Sequence, residues 1–419
     1  MDTGFTQKSN LVLSTLAYAI SSAGSVFLHI ILAITVFHTT HSGAITALFV
    51  ALQYIPALLV LIFKGNWEGG HSPLKKWMRL ELLATLLTLP LLLFIQPIDY
   101  VVVFILLFFR GIVDNTVRVM RTITARYIFT ADTMDKYAAV LQAGFNFGIG
   151  IAAVTGVLIG AKVSLHDAVI IDIFSFLLAY LLLLFVKSVN PAGSEAGMAT
   201  VSSLASRFRN YRRLLANDKK LMFSAVLPPL SSAFFQGSWE VFVPVFPLKV
   251  LGLGTGAIAI AYVVITAAVV IGSTIFPWLN QRMGLFRHGH SRVRRLVLLL
   301  SLCSAVFYLV GTNSTEPLFC LLMLALMGFV YQIVWMFGYT GIFNYTPQGE
   351  LGAIFSISYG FGYCVGSICI LLAGYCLDLF NGNFTAVITL FMLVYFAMLG
   401  VLLFVCRAAD LQQEQVANQ

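Results

Sequence analysis

Apolar residues run through this chain in twelve stretches of roughly 20 residues or more, parted by short polar joints. The stretches fall at 11–37, 43–63, 77–95, 99–121, 137–160, 166–187, 220–248, 254–280, 293–312, 316–341, 349–378 and 383–407. About 20 residues of helix cross the hydrocarbon core of a bilayer, and a helix satisfies its own backbone hydrogen bonds there. The pattern predicts an all-α integral membrane protein with twelve transmembrane helices. Spans five and six are parted by little more than Ala161 to Leu165. Counting them separately puts both short termini on the side of the basic loops.

Composition agrees with the pattern. Hydrophobic residues make up 59% of the chain and charged residues 10%, with mean hydropathy +0.92. A soluble fold has too little polar surface to cover that much apolar area. Charge then sets orientation. Lys64, Lys75, Lys76, Arg79, Arg121, Arg126 and Lys136 fall at one side of the spans. So do Arg207, Arg209, Arg212, Arg213, Lys219 and Lys220, and the group Arg282, Arg287, Arg292, Arg294 and Arg295. The opposite loops hold Lys162 and Lys249. By the positive-inside rule both termini are expected in the cytoplasm. The net charge of +8 therefore reports topology and contact with anionic lipid, and nucleic acid is not an expected partner.

The opening MDTGFTQKSN lacks the basic start and cleavage site of a signal peptide, so span one is expected to remain as a helix. All six cysteines lie in or beside spans of the second half, without a CxxC pair or Cys/His ligand spacing. Neither disulfides, a metal site nor a cofactor is expected. A Walker GxxxxGK[ST], an HExxH and a GxSxG are all missing, which speaks against direct ATP use and against an enzyme.

Residues 188–219 form the one sizeable polar segment, turning from NPAGSEAGMATVSS into the basic, amphipathic SLASRFRNYRRLLANDKK. We read a six-helix bundle at 1–187, a cytoplasmic linker with a membrane-surface helix at 188–219, and a second bundle at 220–419. The halves echo each other, with Gly-Phe-x-aromatic-x-x-Gly at Gly144–Gly150 in span five and at Gly360–Gly366 in span eleven. Two pseudo-symmetric bundles around a central cavity are the arrangement of many secondary transporters.

Several segments resemble the major facilitator superfamily. LLFFRGIVDNTVRVMR in span four is similar to the family's span-four motif, an arginine before a glycine-bearing helix. The glycine-rich run from Phe145 to Gly160, with Gly144/Gly148 and Gly156/Gly160 spaced as GxxxG, resembles the span-five signature of its drug/proton antiporters. AVIIDIFSFLLAYLLL looks like the branch of enterobactin exporters and macrolide efflux proteins. Pro277-Trp278-Leu279-Asn280-Gln281-Arg282-Met283-Gly284 is similar to the family's loop motif, keeping Leu279, Arg282 and Gly284. The loop KGNWEGGHSPLKKWMR lacks that motif's Asp-Arg pair, and span five lacks the antiporter proline. The resemblance implies alternating access, with gating or helix-packing roles for Gly144, Gly148, Arg282 and Gly284.

Transport chemistry should show as polar groups the bilayer would otherwise reject. Arg110, Asp114 and Arg118 fall four residues apart on one face of span four, where neighbours pair. Arg110 and Asp114 are candidates for substrate contact, and Asp114 for proton exchange. Glu240 in span seven is the second candidate proton site, with Gln236 and Trp239 beside it as candidate substrate contacts and a helix break expected just beyond it at Pro244 and Pro247. His29 lies well inside span one and is a further candidate contact. Asp172 and Glu81 lie near span ends, where interfacial water is expected to solvate them. Trp335, Tyr359 and Tyr363, with Tyr331 and Tyr339, cluster in spans ten and eleven and suit stacking against an amphiphile.

Together these features predict a secondary active, proton-coupled exporter of a small amphiphilic molecule, anionic or zwitterionic and siderophore- or drug-like. Short termini and loops favour a bacterial inner-membrane protein, and a monomer is expected. An importer of a siderophore or metabolite fits the same fold, and a non-transporting receptor or assembly factor is the reading from another class.

Overall fold

The computed structural model describes residues 3–40, 42–52, 55–56, 72–96, 98–159, 162–189, 204–249, 251–253, 256–283, 290–347 and 350–417. Its helices are α1 (Thr3–Thr40), α2 (Gly43–Ala51), α3 (Pro73–Thr88, continued after Pro90 by Leu91–Phe94), α4 (Tyr100–Ile128), α5 (Ala131–Ile159), α6 (Leu165–Leu183) and α7 (Leu204–Asn217). There follow α8 (Lys219–Ser231), a π-helical turn (Ser232–Gln236), α9 (Gly237–Lys249), α10 (Gly256–Met283), α11 (His290–Asn313), α12 (Pro317–Tyr345), α13 (Leu351–Leu379) and α14 (Phe384–Ala417). Nine helices among the described residues are long and apolar enough to cross a membrane. Span two lies partly outside the described residues, span seven is divided by the π turn, and span five counts with a shorter apolar stretch, Gly144–Gly156.

Polar residues at the joints start these helices. Ser42 and Asp99 accept from the first free backbone amides of α2 and α4, and Asp218 does so for α8. Ser164 and Asp167 cap each other's amides ahead of α6, a capping box within a two-sided apolar run. The disruption expected beyond Glu240 is on its other side. Helix α9 runs through Pro244 and Pro247 to Lys249, and the irregular turn follows Pro228-Pro229. Those two prolines lack the amides that would bond back to the preceding turn, so the register slips just after them.

The helices form two compact units. One comprises Met1–Ser202 with Val243–Thr266, the other Ser203–Phe242 with Ala267–Gln419. In each, a glycine on the helix carrying the repeated motif lets that helix close on the helix that opens its half. A Cβ on Gly148 of α5 would strike the Ala19 carbonyl of α1, and one on Gly362 of α13 would come within 2.9 Å of Pro229 of α8.

The first unit has two apolar clusters. One gathers Tyr18, Trp77, Val113, Val117, Met120 and Phe176. The other gathers Phe27, Leu28, Leu107, Val169 and Ile173. Polar residues lie where the two meet along α1, α4 and α6: Ser21, Ser22 and Ser25, then Arg110, then Ser175 with Asp172 one turn before it. A polar layer thus crosses the unit partway along its helices.

Candidate functional site

Three helices build that layer. Small residues on α1 and α6 let them approach, since a Cβ on Gly24 would collide with Ser175. Asp172 therefore faces α4 at close range. Its carboxylate lies 2.7 Å from Arg110 Nη1, with Arg110 1% and Asp172 0% exposed. The contact is a buried ion pair between two helices. Asp114, the expected partner one turn along α4, lies 3.6 Å from Arg110 Nε. Arg110 Nη2 also donates to Ser25 Oγ at 2.9 Å, and the ring of Phe176 faces the guanidinium at 5.0 Å.

A second buried pair lies further along α4. Arg121 meets Glu81 of α3 at 3.0 Å and donates to Ser21 Oγ at 2.7 Å. Trp77 Nε1 donates to the same Glu81 oxygen at 2.6 Å, and the Arg121 guanidinium sits 3.9 Å from the centre of the Tyr18 ring. Such pairs are stable in a low dielectric only with added hydrogen bonds, which Ser21, Ser25 and Trp77 supply.

These contacts correct three expectations. Asp172 and Glu81 are not solvated at span ends; both are wholly buried and ion-paired. Arg121 is not a loop residue but a buried group of α4, 6% exposed. Arg110 lies nearer the carboxylate of another helix than that of its own.

Between the pairs opens a cavity of about 30 Å³, lined by Ser21, Ser22, Ser25, His29, Asp114, Arg118, Arg121, Phe145 and Phe176 among others. It has room for water. The predicted residues His29 and Asp114 meet here. His29 Nδ1 lies 2.6 Å from the Ser25 carbonyl, which can only accept, so Nδ1 carries the proton. Arg118 lies over the Phe145 ring at 5.4 Å. The formal charges of Arg110, Arg118 and Arg121 match those of Asp114, Asp172 and Glu81, so lining and walls are together balanced. Among the described residues no cluster of His, Cys, Asp and Glu is arranged to hold a metal ion.

The other predicted contact and proton-exchange residues fall in the second unit. Gln236 Nε2 approaches Glu240 at 3.4 Å across the end of the π turn, and Trp239 is buried beside them. Trp335 stacks on Tyr339 at 5.0 Å and meets Tyr359 edge-on at 6.0 Å; Tyr359 stacks on Phe355 and meets Tyr363 edge-on at 6.1 Å. Tyr331 leaves this cluster, its hydroxyl 3.0 Å from Ser232 Oγ. Gly144 and Gly148 abut Thr15 and Ala19 of α1. Arg282 is exposed over the Trp278 ring at 5.3 Å, while Gly284 lies outside the described residues.

The sequence model of the Major Facilitator Superfamily matches residues 14–369. The chain belongs to the major facilitator superfamily. Its fold is also similar to a solved bacterial homologue of the human lysosomal transporter Spinster, in an inward-facing and unoccupied conformation. That match has TM-score 0.70 and 14% identity, and it covers 97% of this chain and 98% of the other. No curated protein matches the sequence. A charge inside a bilayer is costly unless it is paired, and in this member of the superfamily the two buried ion pairs of the polar layer meet that requirement.

Proposed function

We propose that the protein is a proton-coupled secondary transporter that exports a small amphiphilic zwitterion across the bacterial inner membrane by alternating access. The observation that carries the reading is one guanidinium, Arg110, placed between two carboxylates, Asp114 and Asp172, beside a cavity with room for water. Arg110 can satisfy either acid by a small movement, and the acid it leaves becomes a proton acceptor.

Charge balance bears on the ligand. With three arginines against three acids, a bare anion adds uncompensated charge and would draw a proton in with it. That is the logic of a symporter, and it keeps uptake as the second reading. A zwitterion behaves differently. Its cationic group competes with the proton for Asp114 while its anionic group meets Arg118 and the α1 hydroxyls. Proton and substrate then exclude each other, as antiport requires. Within the second unit, Glu240 is proposed as a second proton site, and Trp335, Tyr359 and Tyr363 as an aromatic contact surface of its own.

The test starts with compounds depleted from the medium of a deletion strain. Each is added to energised inside-out vesicles containing an acridine-dye pH reporter. Antiport releases lumenal protons on addition of the compound, an effect absent from vesicles of the deletion strain. Accumulation without proton release would overturn the coupling, and no response to any depleted compound would overturn export.

A further inference from the structure

Helix α7 carries Arg207, Arg209, Arg212 and Arg213 within one short helix that has no acidic residue. Basic groups in its first turn oppose the helix dipole, and Arg209 repels Arg212 and Arg213 three and four residues on. A helix so charged is stabilised from outside itself. Its inward face is already occupied. Leu215 joins a cluster with Leu221, Ala225, Ile342 and Ile354, against which Tyr211, Leu214 and Phe355 pack. Phe208 meets Phe361 edge-on at 5.9 Å, the Tyr211 hydroxyl lies 3.1 Å from Ser358 Oγ, and Asn210 donates to Glu350 at 2.9 Å. The outward face presents Arg209, Arg212, Arg213 and, across the joint, Lys220, all exposed.

We propose that this outward face is a docking surface for anionic phospholipid headgroups. Charge complementarity selects the partner. Among the described residues no carboxylate pairs with Arg209 or Arg212, and the nearby acids serve elsewhere: Asp218 caps α8 and Glu350 accepts from Asn210. Connectivity places the partner. One residue, Asp218, separates α7 from the start of the span-seven helix, so the arginines stand where that span enters the bilayer. At such a depth headgroup phosphates are the abundant anions, and Arg forms two parallel hydrogen bonds with phosphate. The bound lipid also braces α13. Phe355, which packs under α7, stacks on Tyr359 at 4.3 Å, so the docked helix supports the aromatic cluster.

The experiment uses the full-length chain without its native cysteines, with one cysteine in place of the exposed Ala216 carrying an environment-sensitive fluorophore. It is reconstituted in nanodiscs of phosphatidylcholine alone and of phosphatidylcholine with one-third phosphatidylglycerol. The expected result is a blue shift of emission in the anionic discs that added salt reverses. Arg209→Ser with Arg212→Ser should lose the shift, while Arg209→Lys with Arg212→Lys should keep most of it. Both substitutions are at exposed positions and leave the inward contacts in place. A wild-type spectrum indifferent to phosphatidylglycerol would overturn the proposal, as would an undiminished shift in the double serine variant.

Discussion

Asp172 of α6 lies 2.7 Å from the Arg110 guanidinium, nearer than Asp114, which shares Arg110's own helix and lies at 3.6 Å. The inter-helix pair is the tighter and more buried of the two, so Arg110 both ties α4 to α6 and stands beside the cavity acid. A scaffold role and the proposed transport role meet in one side chain.

They can be separated. Asp172→Ala leaves Arg110 with Asp114 and Ser25 as partners, so the loss should fall at or below the about 3–5 kcal/mol that breaking a buried pair on one side costs. Replacing both partners, as in Arg110→Met with Asp172→Leu, should restore most of that stability while leaving transport dead. Thermal unfolding of the purified protein and vesicle assays measure the two effects independently. If the double variant transports normally, the pair is scaffolding alone.

The positions of the spans were legible because hydrophobicity is local: a run of apolar residues announces itself without reference to the rest of the chain. The pairing of the acids was not. Helical periodicity relates Arg110 to Asp114 four residues on, but gives no sign that Glu81 meets Arg121, 40 residues away. Position within a span misled as well, since Asp172 lies near the middle of α6 as folded. The charge of Glu81, Arg121 and Asp172 in otherwise apolar helices was the available signal, and each needed a partner.

Asp114 lines the cavity and is 20% exposed, whereas Asp172 is sealed. A proton therefore reaches Asp114 more readily, and Asp114→Asn should abolish pH-driven uphill exchange while sparing downhill exchange. Glu240→Gln should do the same if it is the second proton site. Uphill, pH-dependent transport persisting in both variants would move the coupling site elsewhere, with His29 the next residue to replace.

The two glycines of the α5 motif should differ in their tolerance of alanine. At Gly144 the new Cβ would lie 2.6 Å from the Thr15 methyl, which can rotate or shift. At Gly148 it would meet the Ala19 carbonyl, a backbone atom held in the middle of α1. Overpacking of this kind costs about 1–3 kcal/mol, and Gly148→Ala should lie at the upper end with Gly144→Ala below it. Equal melting temperatures for the two variants would contradict this packing.

Trp77 is wholly buried, and its indole hydrogen bond to Glu81 helps hold the carboxylate that Arg121 pairs with. Trp77→Phe keeps an aromatic ring but removes that donor, at a cost of about 1.5–3 kcal/mol for a hydrogen bond to a charged group. Combining it with Glu81→Gln should cost less than the sum of the single changes, because both act on one network. Strict additivity in a double-mutant cycle would show that the indole and the carboxylate are not coupled.

Orientation rests on the distribution of basic residues, and two exposed sites on opposite predicted sides test it. Arg212 on α7 and Lys162 in the joint before α6 are both exposed, so accessibility to a reagent depends on the membrane and not on burial. In a chain without its native cysteines, Lys162→Cys should react with a membrane-impermeant maleimide in intact cells. Arg212→Cys should react only after the membrane is opened. The Lys162 site confirms that the reagent works and that the protein has inserted, which makes protection at position 212 interpretable. The reverse pattern would invert the topology and place the basic face of α7 away from the cytoplasmic leaflet. Labelling of both sites in intact cells would change the number of spans between them, and with it the assignment of the joint between α5 and α6.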